Sequence, residues 1–478
     1  MTAATAPPVT APARPAAKRR PTRRNTELAL VLAACGIVWA LSVAIEAAVQ
    51  RNITPASSLL PAFLAVVFVG AHLAVRFLAP YADPVILPCA ALLNGIGVLF
   101  IRRLDLGGVE PGQRVAFDAF RGQAIRQVQW TLVAIVALAV LLYFLSDHRA
   151  LSRYAYSAGL FGIAFIALPA LLPSSLSEVN GAKIWILVPG LFSVQPGEFA
   201  KLALMVFFAS YLVAKRDVLS LASKRVAGID FPRGRDLGPV LVVWAASLLV
   251  LMFERDLGTS LMYFGIFVVM LYVATQRTSW LLIGVGLFFG GALLAWQVIS
   301  RVQLRVDIWL HPFADANGRG FQIVQALFGL GTGGLFGTGP GAGSPNGVPY
   351  ASTDFITATI GEETGLFGLT GVLILYLLLS ARGMRAALDV RDSFGKLLAA
   401  GLAFSIALQV FVIVGGVSKL IPLTGLTTPF LSYGGSSLVA NWLLVALLLR
   451  ISDAGRRPAV PAAPPVQLRS APTEVVRL

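Results

Sequence analysis

The chain has 478 residues, of which 57% are hydrophobic and 13% charged. A soluble domain carries about 25% charged and about 45–50% apolar residues, so this composition excludes an ordinary soluble enzyme and predicts an all-α polytopic membrane protein. The formal net charge of +15 does not by itself imply nucleic acid. That reading needs the basic residues gathered on a soluble face, and here they fall in short segments between apolar runs, so no nucleic-acid partner is expected.

In chain order, residues 1–27 are rich in Ala, Pro, Thr and Arg without apolar periodicity and predict a disordered basic tail. The tail ends in KRRPTRRNTE, faintly similar to a twin-arginine signal. The apolar run Leu28 to Val49 that follows is too long for a signal core and long enough to span a bilayer. At about 20 apolar residues per span, helices are predicted near 28–49, 58–78, 85–101, 127–146, 154–172 and 197–214. A second set is predicted near 238–254, 258–275, 279–298, 355–381, 396–417 and 435–451, which makes about 10–12 transmembrane helices in all.

Basic residues on alternate connections set the orientation. His148/Arg149/Arg153, the 215–236 segment, Arg277 and the 382–396 segment share a side with the N-terminal tail and with Arg450, Arg456 and Arg457, so both termini are expected in the cytoplasm. One connection opposes this. Arg102, Arg103, Arg114, Arg121 and Arg126 fall on the expected outside, partly balanced by Asp105, Glu110 and Asp118. Cys35 and Cys89 lie inside apolar runs, where free thiols are expected, and His72, His148 and His311 form no metal-binding pattern.

A large outer segment, roughly 299–353, far exceeds the usual connection of about 4–6 residues, and loops of this size tend to be functional. It ends in GLGTGGLFGTGPGAGSPNGVPY. A nucleotide-binding Walker loop needs GK[ST] between a strand and a helix, and neither is present, so a flexible or closely folded glycine loop is expected and no nucleotide.

The acids that follow this loop are candidates for chemistry. In VPYASTDFITATIGEETG, Asp354 stands at the outer boundary where loop becomes helix. A continuous helix would align Asp354 with Thr357, Ala358, Gly361, Gly365 and Gly368, a stripe of small residues that leaves room for a neighbour or a cavity. At about 100° per residue Glu362 lies a quarter-turn away and Glu363 opposite, so the three acids cannot share one site. The residues alone leave Asp354 open between a helix N-cap, which Ser352 or Thr353 would serve equally, and a functional carboxylate. Glu362 and Glu363 are open between function and structural pairing with an arginine or a backbone group. Glu198 and Lys201 in QPGEFAK either pair on one helix face or offer a cation to a phosphate. Glu254, Arg255 and Asp256 in FERDLGTS, and Arg301 and Arg305 one turn apart, are further boundary charges.

Five ordered stretches resemble the SEDS (shape, elongation, division and sporulation) family, which includes RodA and FtsW. They are NGAKIWI…FSVQPGEFAKL, FERDLGTSL, RVDIWLHPFADANGRGFQIVQAL, TDFITATIGEETG and VGGVSKLIPLTGLTTPFLSYGGSS. The resemblance covers roughly residues 85–452. It implies a peptidoglycan glycosyltransferase of the cell membrane that polymerises lipid II, with the RodA branch suggested by the long outer loop and short basic C-terminal end. On this reading 28–84 adds two N-terminal helices to the family's ten or so, and 453–478 is a cytoplasmic tail.

The family's essential aspartate maps onto Asp354 as general base. Lys201 and Arg305 become candidates for receiving the leaving diphosphate, a role in which a divalent cation (Mg or Mn) would assist them, and Glu198, Arg301, Lys419, Ser432 and Ser436 join them as substrate-binding candidates. The implied partners are lipid II, a class B penicillin-binding protein and membrane lipid. One departure stands out: the family's PEAHTDF reads Pro349-Tyr350-Ala351-Ser352-Thr353-Asp354-Phe355, without the acid and the histidine. A lipid II flippase, an FtsW-like division polymerase and a non-catalytic scaffold are the competing expectations.

Overall fold

The computed structural model describes residues 22–50, 56–107, 122–179, 182–188, 192–216, 224–226, 229–231 and 256–458, together with 238, 242, 244–246 and 249. The N-terminal tail to residue 21, the charges at 110–121, most of the 215–236 segment, most of the helix expected near 238–254 with Glu254 and Arg255, and the C-terminal tail beyond 458 lie outside the described residues.

The bundle is built from α1 (Arg24–Gln50), α2 (Ala56–Leu78), α3 (Ile86–Leu106), α4 (Gln123–Phe144), α5 (Ala155–Leu171), α6 (Pro196–Ala214), α7 (Leu257–Thr275), α8 (Ser279–Val298), α9 (Ser300–Leu310), α10 (Phe321–Gly333), α11 (Ile356–Asp389), α12 (Ser393–Val417) and α13 (Gly435–Arg456). Short antiparallel ribbons pair 178–179 with 182–183, 186–188 with 192–194, and 224–226 with 229–231. Among the described residues ten helices are long and apolar enough to cross a membrane, and α5, at 17 residues, is a shorter apolar helix. The chain is a multi-pass membrane protein.

Local chemistry sets the helix starts. Pro196 opens α6, where its missing N–H costs nothing. Asp256 caps α7 by accepting from the Thr259 amide at 3.0 Å, and Asp392 caps α12 through the Gly395 amide at 2.7 Å. Burial then sorts centre from rim: 89% of the apolar stretch of α3 and of α13 is buried, against 6% for α8, which is apolar all round and faces outward. α13 packs along α4, α11 along α12 and α10, α5 along α6, and α1 along α2 and α3. At the centre, Gly97 of α3 lets the 428–432 segment approach, since a Cβ there would lie 2.6 Å from Leu431 Cα.

Two expectations are corrected, the first at α11. The helix is not continuous: Gly365 takes φ 67° and ψ −170°, splitting off a short first segment, 356–364, from the long remainder. The stripe predicted from Asp354 through Gly368 therefore ends at the break. A side chain at Gly365 would collide with the backbone of Gly337, so the break and the glycine loop fit together. Helical hydrogen bonds lost there are replaced by the loop: the Leu366 and Phe367 amides donate to the Gly334 and Leu335 carbonyls at 2.9 and 3.1 Å, and the Thr338 and Gly339 amides donate to the Glu362 and Glu363 carbonyls at 3.0 Å each. In a bilayer every such group must find a partner, and this re-entrant segment supplies them. The glycine loop is thus closely folded.

The second correction concerns the 102–126 and 299–353 connections. α3 runs on to Leu106, so Arg102 and Arg103 belong to its last turns, and Arg103 is buried against Glu363, Nε to Oε1 2.7 Å. The opposing charge count of the 102–126 connection shrinks accordingly. The 299–353 segment is itself largely ordered, carrying α9, α10 and 3₁₀ turns at Pro312–Asp315 and Pro345–Gly347. Cys35 and Cys89 are free, as expected.

Gly97→Val is expected to lower the melting temperature in detergent by several degrees, since overpacking a well-filled core costs about 1–3 kcal/mol. Gly36→Ala, where a Cβ meets open space, is the matched control and should leave melting unchanged or slightly raised.

Candidate active site

Asp354 lies in a turn, not in a helix. The Thr353 and Phe355 amides donate to the Tyr350 carbonyl at 3.0 and 3.3 Å, and Tyr350 takes φ 56°. α11 starts at Ile356 with Phe355 in the cap position and no side-chain cap, so neither Asp354 nor Ser352 nor Thr353 is spent on capping. Phe355 is fully buried against Ile323, Val324 and Ala358, which pins the turn to α10.

The other side of the turn is held by the SYGGS stretch. Ser432 Oγ donates to the Thr353 carbonyl at 2.6 Å and accepts from the Thr428 amide at 2.8 Å, while the Tyr433 amide donates to the Ser352 carbonyl at 2.7 Å. Gln127 of α4 braces this stretch, Nε2 to the Ser432 carbonyl 3.0 Å and Oε1 from the Gly434 amide 3.2 Å. Tyr376, beyond the break in α11, donates to the Pro429 carbonyl. Ser432 is therefore a backbone pin for the turn that carries Asp354.

A cavity of about 320 Å³ opens beside this turn. Asp354, Arg301, Arg305, Trp309, Arg319, Gln322, Lys419 and Gly425 are among the residues that line it. Arg305 is fixed by two carbonyls, Nη1 donating to Leu423 and Thr424 at 3.2 and 3.1 Å, and Trp309 Nε1 donates to the Lys419 carbonyl at 3.1 Å. These bonds fasten α9 to the connection between α12 and α13. Gly425, at φ 75°, sits at the gap: a Cβ there would lie 3.7 Å from Asp354 Oδ2 and 3.8 Å from Arg305 Nη2. A carboxylate thus shares a cavity with three arginines and a lysine. Burial pushes the Asp354 carboxyl up to about 6, while Arg305 and the Thr353 hydroxyl pull the other way. That leaves Asp354 ionised at neutral pH yet close to the range where a proton is readily taken up.

The remaining sequence candidates lie elsewhere. Lys201 is buried in α6, Nζ 2.9 Å from Glu198 Oε2 and 3.1 Å from Gln409 Oε1, and Glu198 Oε1 accepts from Ser437 Oγ at 3.2 Å. Neither is among the residues lining the cavity, and the pairing alternative describes their placement. Ser436 Oγ accepts from the Gln195 amide at 3.1 Å, tying α13 to the start of α6. Glu362 accepts from the Ser344 amide at 2.7 Å, so both acids of the EE pair serve the re-entrant loop. Sequence reasoning passed over Arg319, Trp309 and Gln322, although all three stand in the WLHPFADANGRGFQ stretch it had quoted.

No three His, Cys, Asp or Glu side chains converge among the described residues, and the cavity offers one carboxylate amid four cations. That donor set does not fit a resident Mg or Mn ion, which wants several oxygen ligands.

A family model described as Cell cycle protein, FtsW/RodA/SpoVE, matches residues 84–457. The chain belongs to this family. A relative named peptidoglycan glycosyltransferase RodA from Mycobacterium tuberculosis is 53% identical over 439 residues, covering 92% of each chain. Its namesake from Mycobacterium leprae is 49% identical over 438 residues, again covering 92% of each. Among solved structures, one titled for the coordination of polymerization and crosslinking by a peptidoglycan synthase complex aligns with a TM-score of 0.52 and 27% identity, over 82% of this chain and 96% of that one. The whole cavity falls inside the FtsW/RodA/SpoVE match, whereas α1 and α2 precede it.

Difference infrared spectra of Asp354 should show a carboxyl band that disappears with a midpoint near pH 6. Because Arg305 favours the charged form, Arg305→Met should move that midpoint to higher pH; a fall, or no change, would separate the two groups electrostatically.

Proposed function

We propose that this FtsW/RodA/SpoVE protein is a peptidoglycan glycosyltransferase of the RodA type, polymerising lipid II at the outer face of the cell membrane with Asp354 as general base. The observation that carries the reading is Asp354 facing Arg305 across Gly425 in a cavity with three further cations. The chain's 53% identity to a mycobacterial RodA over 92% of its length supports the activity and favours it over the flippase, division and scaffold alternatives.

Glycan extension needs a sugar hydroxyl to attack an anomeric carbon while the bond to a lipid diphosphate breaks. The hydroxyl proton passes to the Asp354 carboxylate as the new C–O bond forms, and the electron pair of the breaking bond leaves on the diphosphate. Arg305, held rigid by the Leu423 and Thr424 carbonyls, is placed to take up that developing charge, with Arg301, Arg319 and Lys419 around it. Fixed donors act there without reorganising, which is where such charge is most effective. Lys201, sequestered with Glu198 and Gln409, keeps the bundle interior ordered on this reading. A boundary cavity leaves sugars in water and prenyl tails in lipid, and a class B penicillin-binding protein is the expected partner for crosslinking.

Asp354→Asn keeps the shape and removes the basic oxygen. With purified protein and labelled lipid II in detergent, polymer formation should fall by about 10²-fold or more while melting is unchanged. Near-normal polymer from this variant would remove Asp354 from the chemistry.

Both termini are read as cytoplasmic, with the 299–353 segment outside. With Cys35 and Cys89 replaced, a cysteine at Ser344 should react with a membrane-impermeant maleimide in intact cells, and one at Ser220 should react only after permeabilisation. The reverse labelling would place the cavity on the cytoplasmic side and end the outer-face assignment.

A further inference from the structure

The break at Gly365 poses a mechanical question. It disconnects the 356–364 segment, which directly follows Asp354, from the rest of α11, so the long part of that helix does not set the segment's angle. Something else must hold it. α10 lies along it, with Gly333 packed directly on the Gly361 carbonyl and Gly329 beside Glu362. The stronger tie is at the segment's inner end. Glu363 is fully buried, accepts from Arg103 Nε at 2.7 Å with one oxygen and from the Gly341 amide at 2.8 Å with the other. Arg103, also buried, spends a second donor on the Gly343 carbonyl at 2.7 Å. One carboxylate and one guanidinium thereby join three pieces of chain: the end of α3, the re-entrant loop and the inner end of the short segment. The loop is backed from outside by α1, where a Cβ on Gly341, at φ 87°, would lie 2.7 Å from the Ile45 carbonyl oxygen.

We infer that Glu363 and Arg103 are positioning residues for the transferase reaction: their buried pair, backed by α1 through Gly341, fixes the short segment after the break and with it the turn that presents Asp354 to the cavity. Neither lines the cavity, so neither touches substrate on this account. The cations come from α9, from Arg319 ahead of α10 and from the connection after α12, none of which the pair holds. Disturbing the pair should therefore misplace the base and leave the anion site intact, which separates turnover from affinity. α1 precedes the family-matched region, so in this chain the clamp draws on a helix added in front of the common core. The inference rests on Asp354 being the base.

The test compares Glu363→Gln, Arg103→Lys and Gly341→Ala with the parent protein, measuring lipid II polymerisation, its pH profile and melting in detergent. Glu363→Gln keeps the shape and loses the charge. It should lower kcat about tenfold or more with KM within about twofold, since displacing a reacting group by an ångström costs up to about 10²-fold. The acid limb of kcat, expected near pH 6 from Asp354, should shift with it. Arg103→Lys, which retains the charge and loses the second donor, should fall between Glu363→Gln and the parent. If Glu363→Gln does not fold, Gly341→Ala, which disturbs the clamp from the α1 side, decides on the same three readouts. A lower melting temperature with kcat per folded molecule and acid limb unchanged would overturn the proposal and leave the pair a purely structural one. Asp354→Asn distinguishes the failures: if it stays active the base assignment falls, whereas an inactive Asp354→Asn beside a fully active Glu363→Gln removes the positioning role alone.

Discussion

A backbone amide or carbonyl inside a bilayer has no water to turn to, and most of this architecture follows from how the chain meets that constraint at one point. Breaking α11 at Gly365 frees helical hydrogen-bonding groups inside an apolar span. The glycine loop returns to bond them, and it has to be almost free of side chains to come so close. Once the loop is there, its own groups need partners, which Glu362, Glu363 and Arg103 provide. The carboxylates that look costly in an apolar helix are the other half of the break.

The electrostatics of the cavity are organised on the same economy of backbone. Among the described contacts Arg305 is oriented by the Leu423 and Thr424 carbonyls and not by a direct ion pair, which leaves its charge available to an anion. Asp354 in turn is left uncapped and unpaired by a direct ion pair among the described contacts, with its pKa drawn toward neutrality by burial. By contrast Lys201 and Glu198 satisfy each other at 2.9 Å and, with Gln409 and Ser437, form a closed network inside the bundle. The two groups of charges have opposite designs, one left open to a ligand and one completed internally.

Much of this was legible beforehand and some was not, for identifiable reasons. Apolar runs revealed the spans because hydrophobic length is a strong, local signal, and the motif around Asp354 singled out the acid that lines the cavity. The break at Gly365 was invisible to periodicity, since TIGEETGLFG reads equally well as one helix rich in small residues; the constraint that breaks it comes from a loop some thirty residues earlier. The same non-locality hid the partners of Glu363, because Arg103 is 260 positions away in the chain. For Lys201 the sequence left two readings open, since an intramembrane cation three residues from an acid supports pairing and ligand binding alike; its further partner, Gln409, sits on a distant helix. Arg319 was overlooked inside a quoted motif because an exposed arginine in a loop carries no periodic signal at all.

The turn that bears Asp354 also bears on how such a protein can diverge. Its conformation is specified largely from outside, by the Ser432 hydroxyl and the Tyr433 amide acting on main-chain carbonyls and by the buried Phe355 ring. Main-chain carbonyls are the same whatever side chain they belong to. Positions 350–352 are consequently buffered against mutational drift, and Tyr350 and Ser352 can stand where the family pattern has a glutamate and a histidine, without the aspartate moving. Natural variation should then concentrate on the face of the turn that the serine does not grip, a freedom created by a hydroxyl two helices further along the chain.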